Sequence, residues 1–191
     1  DILVYVKNDL KRRPLGASYG VTVSGTTATF VLYAPGKQKV HLLGDFNNYQ
    51  ATTTSLMNKD GNYFWYTMEN LQPGVEYGYQ YLVDGSTRIG DPYSEKILDP
   101  WNDKYISSAT YPHLKSYPSG ASDIVSVFEL MPESYDWSVP NFDRPAKNSL
   151  AIYELQLRDF TTQGSVQAAI DKLDYLQTLG INAIELMPIQ E

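Results

Sequence analysis

The sequence predicts an antiparallel β-sandwich followed by a short β–α–β unit of a parallel sheet. Three observations carry that prediction. Between about Tyr19 and Tyr111, short apolar and aromatic runs alternate with Gly, Pro and Asp turns, the pattern of an all-β domain. Toward the C-terminal end, one amphipathic helix pattern stands between two strand-like runs, and a crossover of that length joins parallel strands. The stretch between these regions has prolines, serines and little periodicity, so it reads as a connection between domains of different class. The expected organisation is a sandwich over 1–112, a connection over 113–147 and the β–α–β unit over 148–191.

The elements follow from local chemistry. "TATFVLYAP" is a strand ended by Pro35-Gly36, and "KVHLLGDFNNY" is a strand running into a polar loop. "GNYFWYTMENL" stops before Pro73-Gly74, and "VEYGYQYLVDGS" closes on Asp84-Gly85, a strong hairpin signal. Alternation puts Phe64, Tyr66 and Met68 on one face of their strand and Trp65 and Thr67 on the other. "GDPYSEKILDPWNDKYI" reads as an ordered strap over the sandwich, and "IVSVFEL" is a candidate extra strand within the connection. In the last region "LAIYELQL" is a strand and Ser165 can cap a helix after the Gly164 turn. Val166, Ala169, Ile170, Leu173 and Leu176 share that helix's apolar face. Gly180 sits where a left-handed cap ends a helix, and "INAIELMPI" is the second strand.

Composition excludes several function classes. The 191 residues are 42% hydrophobic with a net charge of −7, which suits a globular protein without the basic footprint that nucleic acid requires. Apolar runs are too short to cross a membrane. The absence of cysteine removes disulfide and thiolate-metal chemistry and leaves the redox compartment unreadable. His41 and His113 lack a second imidazole at ligand spacing and read as ordinary residues. No cofactor or metal is implied. The chain opens on Asp1 without a signal-type apolar segment, so a removed leader is expected, favouring a secreted or periplasmic location over a cytoplasmic one.

Two motifs then carry a resemblance. Tyr153 to Phe160, "YELQLRDF", and Gly180 to Pro188, "GINAIELMP", separated by the predicted helix, resemble the first two strands of the catalytic barrel of the α-amylase superfamily, glycoside hydrolase family 13. Independently, "PLGASYG…TATFVLYAPGKQKVHLLGDFNNY…LQPGVEYGYQYLVDG…DPYS" resembles the immunoglobulin-like early-set modules, related to glycogen-binding modules, that precede the barrel in debranching and branching enzymes. The resemblance implies a TIM barrel of which this chain holds the first β–α–β unit. It also implies retaining hydrolysis of α-glucan by two carboxyl groups about 5 Å apart. In the family those carboxylates stand on later strands, so no catalytic residue is assigned here, and this chain alone is expected not to cleave starch. The whole enzyme is expected to be an α-amylase-type hydrolase, with a debranching or branching enzyme, or a non-catalytic glucan-binding or structural module, as alternatives.

The resemblance also points to site residues. Tyr49 falls where glycogen-binding relatives carry a stacking tryptophan, and Tyr49, Trp65 and Asn48 are the expected glucan contacts. Two departures weaken that site: Ser86, Thr87 and Arg88 stand where a second aromatic is expected, and Gln80 replaces a lysine. In the barrel unit, Glu154, Gln156, Arg158 and Glu185 are expected to project inward as a polar layer, with Arg158 pairing Glu185, because a buried arginine needs a carboxylate. Glu191 and Gln190 stand at the carboxyl end of the second strand, where Glu191 is expected near substrate, with Asp159 behind it. Trp101 and Trp137 read as interdomain packing. Expected partners are an α-glucan polysaccharide or oligosaccharide and another copy of the chain, through the uncovered barrel segment.

Overall fold

The computed structural model describes residues 11–109, 111–130 and 135–189; Gln190 and Glu191 lie outside them. The chain divides into two compact units, 1–133 and 134–191.

The first unit is a two-sheet sandwich. Its strands are β1 (Gly20–Ser24), β2 (Thr27–Tyr33), β3 (Val40–Gly44), β4 (Asn58–Asp60), β5 (Tyr63–Met68), β6 (Glu76–Val83), β7 (Thr87–Ile89), β8 (Lys96–Leu98) and β9 (Val125–Glu129). One sheet has the order β1-β2-β5-β4 and the other β3-β6-β9-β8, with β7 also pairing β6; all these pairs are antiparallel. Alternation decides what each sheet buries. Phe30, Leu32 and Phe64 from the first sheet meet Leu42, Tyr79, Tyr81 and Phe128 from the second in one core, with Tyr66 and Met68 packed against it. The Asp84-Gly85 hairpin forms as expected: both residues have positive φ, 50° and 78°, and the Ser86 amide donates to the Val83 carbonyl at 3.2 Å, the geometry of a primed turn.

The second sheet is covered on its outer face as well. Leu43, Leu98, Val125 and Val127 pack there with Leu114, Tyr117 and Ala121. The stretch read as a connection thus supplies an inner strand, β9, and a segment, 114–124, that lies over the sheet. The sandwich continues to about residue 130 rather than ending at 112, because Phe128 and Leu130 complete the core.

The second unit holds β10 (Ile152–Leu155), α1 (Leu157–Phe160), α2 (Val166–Ile170), α3 (Leu173–Thr178) and β11 (Ala183–Leu186). β10 and β11 pair in parallel, Ile152 with Ala183 through Leu155 with Leu186. Ser165 caps α2, its hydroxyl accepting from the Ala168 amide at 3.2 Å. Gly180, at φ 84°, ends α3: its amide donates to the Gln177 carbonyl at 2.9 Å and the Ile181 amide to the Leu176 carbonyl at 3.1 Å, the paired bonds of a Schellman cap. Two expectations are corrected. The single helix is broken at Asp171 and Lys172, where Lys172 takes φ −104° and ψ 3°. The first strand stops at Leu155 because the Gln156 carbonyl accepts from the amides of Asp159 and Phe160, turning the chain into α1.

Candidate carbohydrate-binding site

The expected site begins at the turn after β3. A 3-10 turn, Asp45–Asn47, is held by the Asn47 side chain, which accepts from the Gly44 amide at 2.9 Å and donates to the Leu42 carbonyl at 2.9 Å. Asn48 and Tyr49 follow with positive φ, 51° and 57°. That left-handed step, uncommon outside glycine, swings Tyr49 inward against β6, where a Cβ on Gly78 would lie 2.4 Å from its hydroxyl. The hydroxyl donates to Asp45 at 3.2 Å. Burial first, and the Asp45 carboxylate second, push the phenol well above its ordinary pKa.

The chain's own segment 114–124 then closes this face. Lys115 pairs with Asp45 at 3.1 Å. Arg88 donates to the carbonyls of Gly120 at 2.9 Å and Tyr49 at 3.2 Å. The Gln80 amide donates to the carbonyls of Ile124, at 2.8 Å, and Ser122. Gly120 sits so close that a Cβ there would lie 2.8 Å from the Asn48 carbonyl oxygen. Tyr49, and Gln80 and Arg88 at the two departing positions, are therefore engaged by protein. Tyr49 is 3% exposed and offers no ring face for stacking. Asn48 remains exposed.

Trp65 stands elsewhere. Phe64 faces the core, so Trp65 projects from the outer side of the first sheet, while Tyr49 packs on the outer side of the second. The sandwich separates them, and one sugar cannot touch both. The indole N–H of Trp65 donates to the Lys11 carbonyl at 2.8 Å, leaving the ring half-buried under the N-terminal segment.

Four tyrosines that sequence reasoning did not single out gather near this side: Tyr33 and Tyr63 on the outer face, and Tyr19 and Tyr93 at the sandwich edge beside β1. Tyr33 and Tyr63 are register partners at the ends of β2 and β5, each next to a core residue, and that alternation was the signal available in the sequence. Tyr19 and Tyr93 arrive from turns, whose tertiary destination no periodicity encodes.

In the second unit Arg158 does not meet Glu185. It lies on α1, and its guanidinium grips the neighbouring Asp159, with both contacts at 3.1 Å; both groups are exposed. The hydrogen-bonded pairing lowers the Asp159 pKa and raises that of Arg158. Glu154 and Glu185 are side-by-side register partners on β10 and β11, both exposed. Glu191 lies outside the described residues. Among those described, no cluster of three metal-ligating side chains occurs, and no helix is long and apolar enough to cross a membrane.

Comparison with known proteins fits this geometry. Residues 14–102 match the family model of carbohydrate-binding module 48, the isoamylase N-terminal domain. The malto-oligosyltrehalose trehalohydrolase of Saccharolobus solfataricus is 28% identical over 91% of this chain and 26% of its own length. Isoamylase SU1 of Zea mays is 29% identical over 92% of this chain and 23% of its own length. Among solved structures, the pullulanase SAP of group B Streptococcus, in complex with maltotetraose, superposes with a TM-score of 0.64 at 20% identity, covering 92% of this chain and 24% of the other; that likeness concerns the fold. The chain thus spans about a quarter of the length of these relatives. Residues 14–102 are similar to carbohydrate-binding module 48, the isoamylase N-terminal domain, and the chain as a whole is similar to part of these trehalohydrolase and isoamylase enzymes.

Proposed function

We propose that the chain is the N-terminal part of an α-glucan-acting glycoside hydrolase of the α-amylase family, of debranching type, and that its sandwich docks the enzyme on glucan. One observation carries this reading: a module-48 sandwich followed, in the same chain, by a parallel β10–β11 pair bearing "YELQLRDF" and "GINAIELMP". On this reading β10 and β11 are the first two strands of a (β/α)8 barrel, and Glu154, Glu185 and Glu191 belong to its interior or upper rim rather than to bond cleavage. The isoamylase relative favours debranching over simple chain cleavage. The net charge of −7 is compatible with glucan, since a neutral polymer needs no electrostatic steering.

Native electrophoresis in gels containing glycogen tests the docking function. The chain should migrate more slowly than in plain gels, and cellulose-derived polymer should not retard it. Reducing-sugar assays with the same preparation should find no hydrolysis. Unchanged mobility in every α-glucan gel would overturn the docking role, and measurable cleavage would overturn the placement of the catalytic carboxylates beyond these residues.

A further inference from the structure

We propose that the strip of Tyr93, Tyr19, Tyr63 and Tyr33, which runs from the sandwich edge beside β1 to the outward-facing ends of β2 and β5, is a glucan-binding surface, with Tyr93 and Tyr33 as the rings on which glucose units stack; this rests on reading the sandwich as a glucan-docking module. The rings form a connected series. Tyr93 stacks on Tyr19 with centroids 5.1 Å apart and planes 11° off parallel. Tyr19 lies 6.0 Å from Tyr63, and Tyr63 5.2 Å from Tyr33. Tyr19 also meets Tyr33 edge-on at 6.4 Å, and three of the rings are open: Tyr93 is 58% exposed, Tyr33 48% and Tyr19 42%.

The strip is held in place before any ligand arrives. The Tyr93 amide donates to the buried Asp91 carboxylate at 2.9 Å. Gly20 allows the chain to pass against Tyr93, for a Cβ there would lie 2.8 Å from the tyrosine Cβ, and its φ of 78° suits glycine. Arg13 caps Tyr63 with its guanidinium 4.2 Å above the ring, while its backbone amide donates to Asp60 at 3.0 Å. The Tyr19 and Tyr63 hydroxyls stand 3.4 Å apart. Rings fixed in this way lose little freedom on binding, which is how preorganised sites gain affinity.

The chemistry around the strip matches a sugar. A cleft of about 550 Å³ opens beside Tyr19 and Tyr93 at the edge between the two sheets, floored by Val21 and Phe128 and edged by Ser94, Glu76 and Lys96, within the size range of ligand pockets, roughly 300–1,000 Å³. A glucose ring presents apolar C–H faces and a perimeter of hydroxyls. Aromatic faces accept the first, while tyrosine hydroxyls donate to or accept from the second and carboxylates accept from it. The face expected from the resemblance is closed by 114–124, whereas the strip keeps aromatic surface and polar edges open together.

Native electrophoresis of the full chain in glycogen gels, with dissociation constants from the polymer-concentration dependence, reads this out. Tyr93→Ala and Tyr33→Ala should each weaken association about five- to tenfold. Tyr93→Trp should retain it, and Tyr49→Phe, on the closed face, should leave it unchanged. Far-ultraviolet circular dichroism checks that each variant is folded. Retardation of the unaltered chain that survives both alanine changes overturns the strip as the site and leaves the docking reading intact. No retardation of the unaltered chain overturns both. A strip that instead joins two copies would appear as dimer mass in sedimentation, abolished by Tyr93→Ala with glycogen binding unaffected, and that result also overturns the proposal.

Discussion

Asp91 shows how one side chain can organise both the core and the surface. It is 6% exposed, and its Oδ2 accepts from the hydroxyls of Tyr79 and Tyr81 at 2.9 and 2.8 Å. Its own amide donates to the Ser126 hydroxyl at 2.6 Å, tying the turn after β7 to β9. Tyrosine hydroxyls buried between two sheets need an acceptor, since an unpaired buried donor costs about 1–3 kcal/mol. Burial, and after it the Asp91 charge, hold both phenols far above their ordinary pKa, so neither ionises while the sandwich is folded. Asp91→Ala should lower the unfolding free energy by about 2–4 kcal/mol in urea titrations, with Tyr93 losing its backbone anchor. A loss below about 1 kcal/mol would contradict the acceptor role. The motif was visible as "GDPYS" in the sequence, but its function was not: Asp91 meets partners 10, 12 and 35 residues away, and no local pattern announces a buried carboxylate.

At the scale of elements, legibility follows how local the deciding interaction is. The Asp84-Gly85 hairpin, the Ser165 cap and the Gly180 terminator were all readable, because each is decided within about five residues. Tyr49 was misread because what covers it, 114–124, arrives some seventy residues later. Gln156 to Arg158 alternate as a strand would, yet the Gln156 carbonyl takes two amide bonds in a helical turn, and that choice moved Arg158 from a partner on the next strand to its sequence neighbour. The Gly180 cap gives the sharpest check. Nothing lies within 4 Å of where its Cβ would be, so an alanine there meets only the backbone strain of φ 84°, about 1–2 kcal/mol. Gly180→Ala should speed exchange of the Ile181 amide by about tenfold or more, and Gly180→Asn should do so less, since asparagine tolerates the left-handed region. Equal rates for glycine and alanine would remove the Schellman cap from the account.

For the whole molecule, the distribution of burial sets what is stable. Of the buried apolar side chains in the described residues, twenty lie in the first unit and two, Leu155 and Leu176, in the second. Each fully buried large apolar side chain contributes about 1.5–3 kcal/mol. The sandwich can therefore outweigh its conformational entropy, while the β–α–β unit has little with which to do so. Its apolar face stays open: Val166, Ile170, Leu173, Ile184 and Leu186 are all at least 40% exposed. Amide hydrogen exchange should consequently divide the chain in two. The β6 amides should exchange by global unfolding, and those of β10 and β11 at least about a hundredfold faster, through local opening. Equal protection would mean that the face of Val166, Ile170 and Leu173 is covered in solution. Sedimentation of that sample then identifies the cover: dimer mass that Leu173→Lys returns to monomer means a second copy.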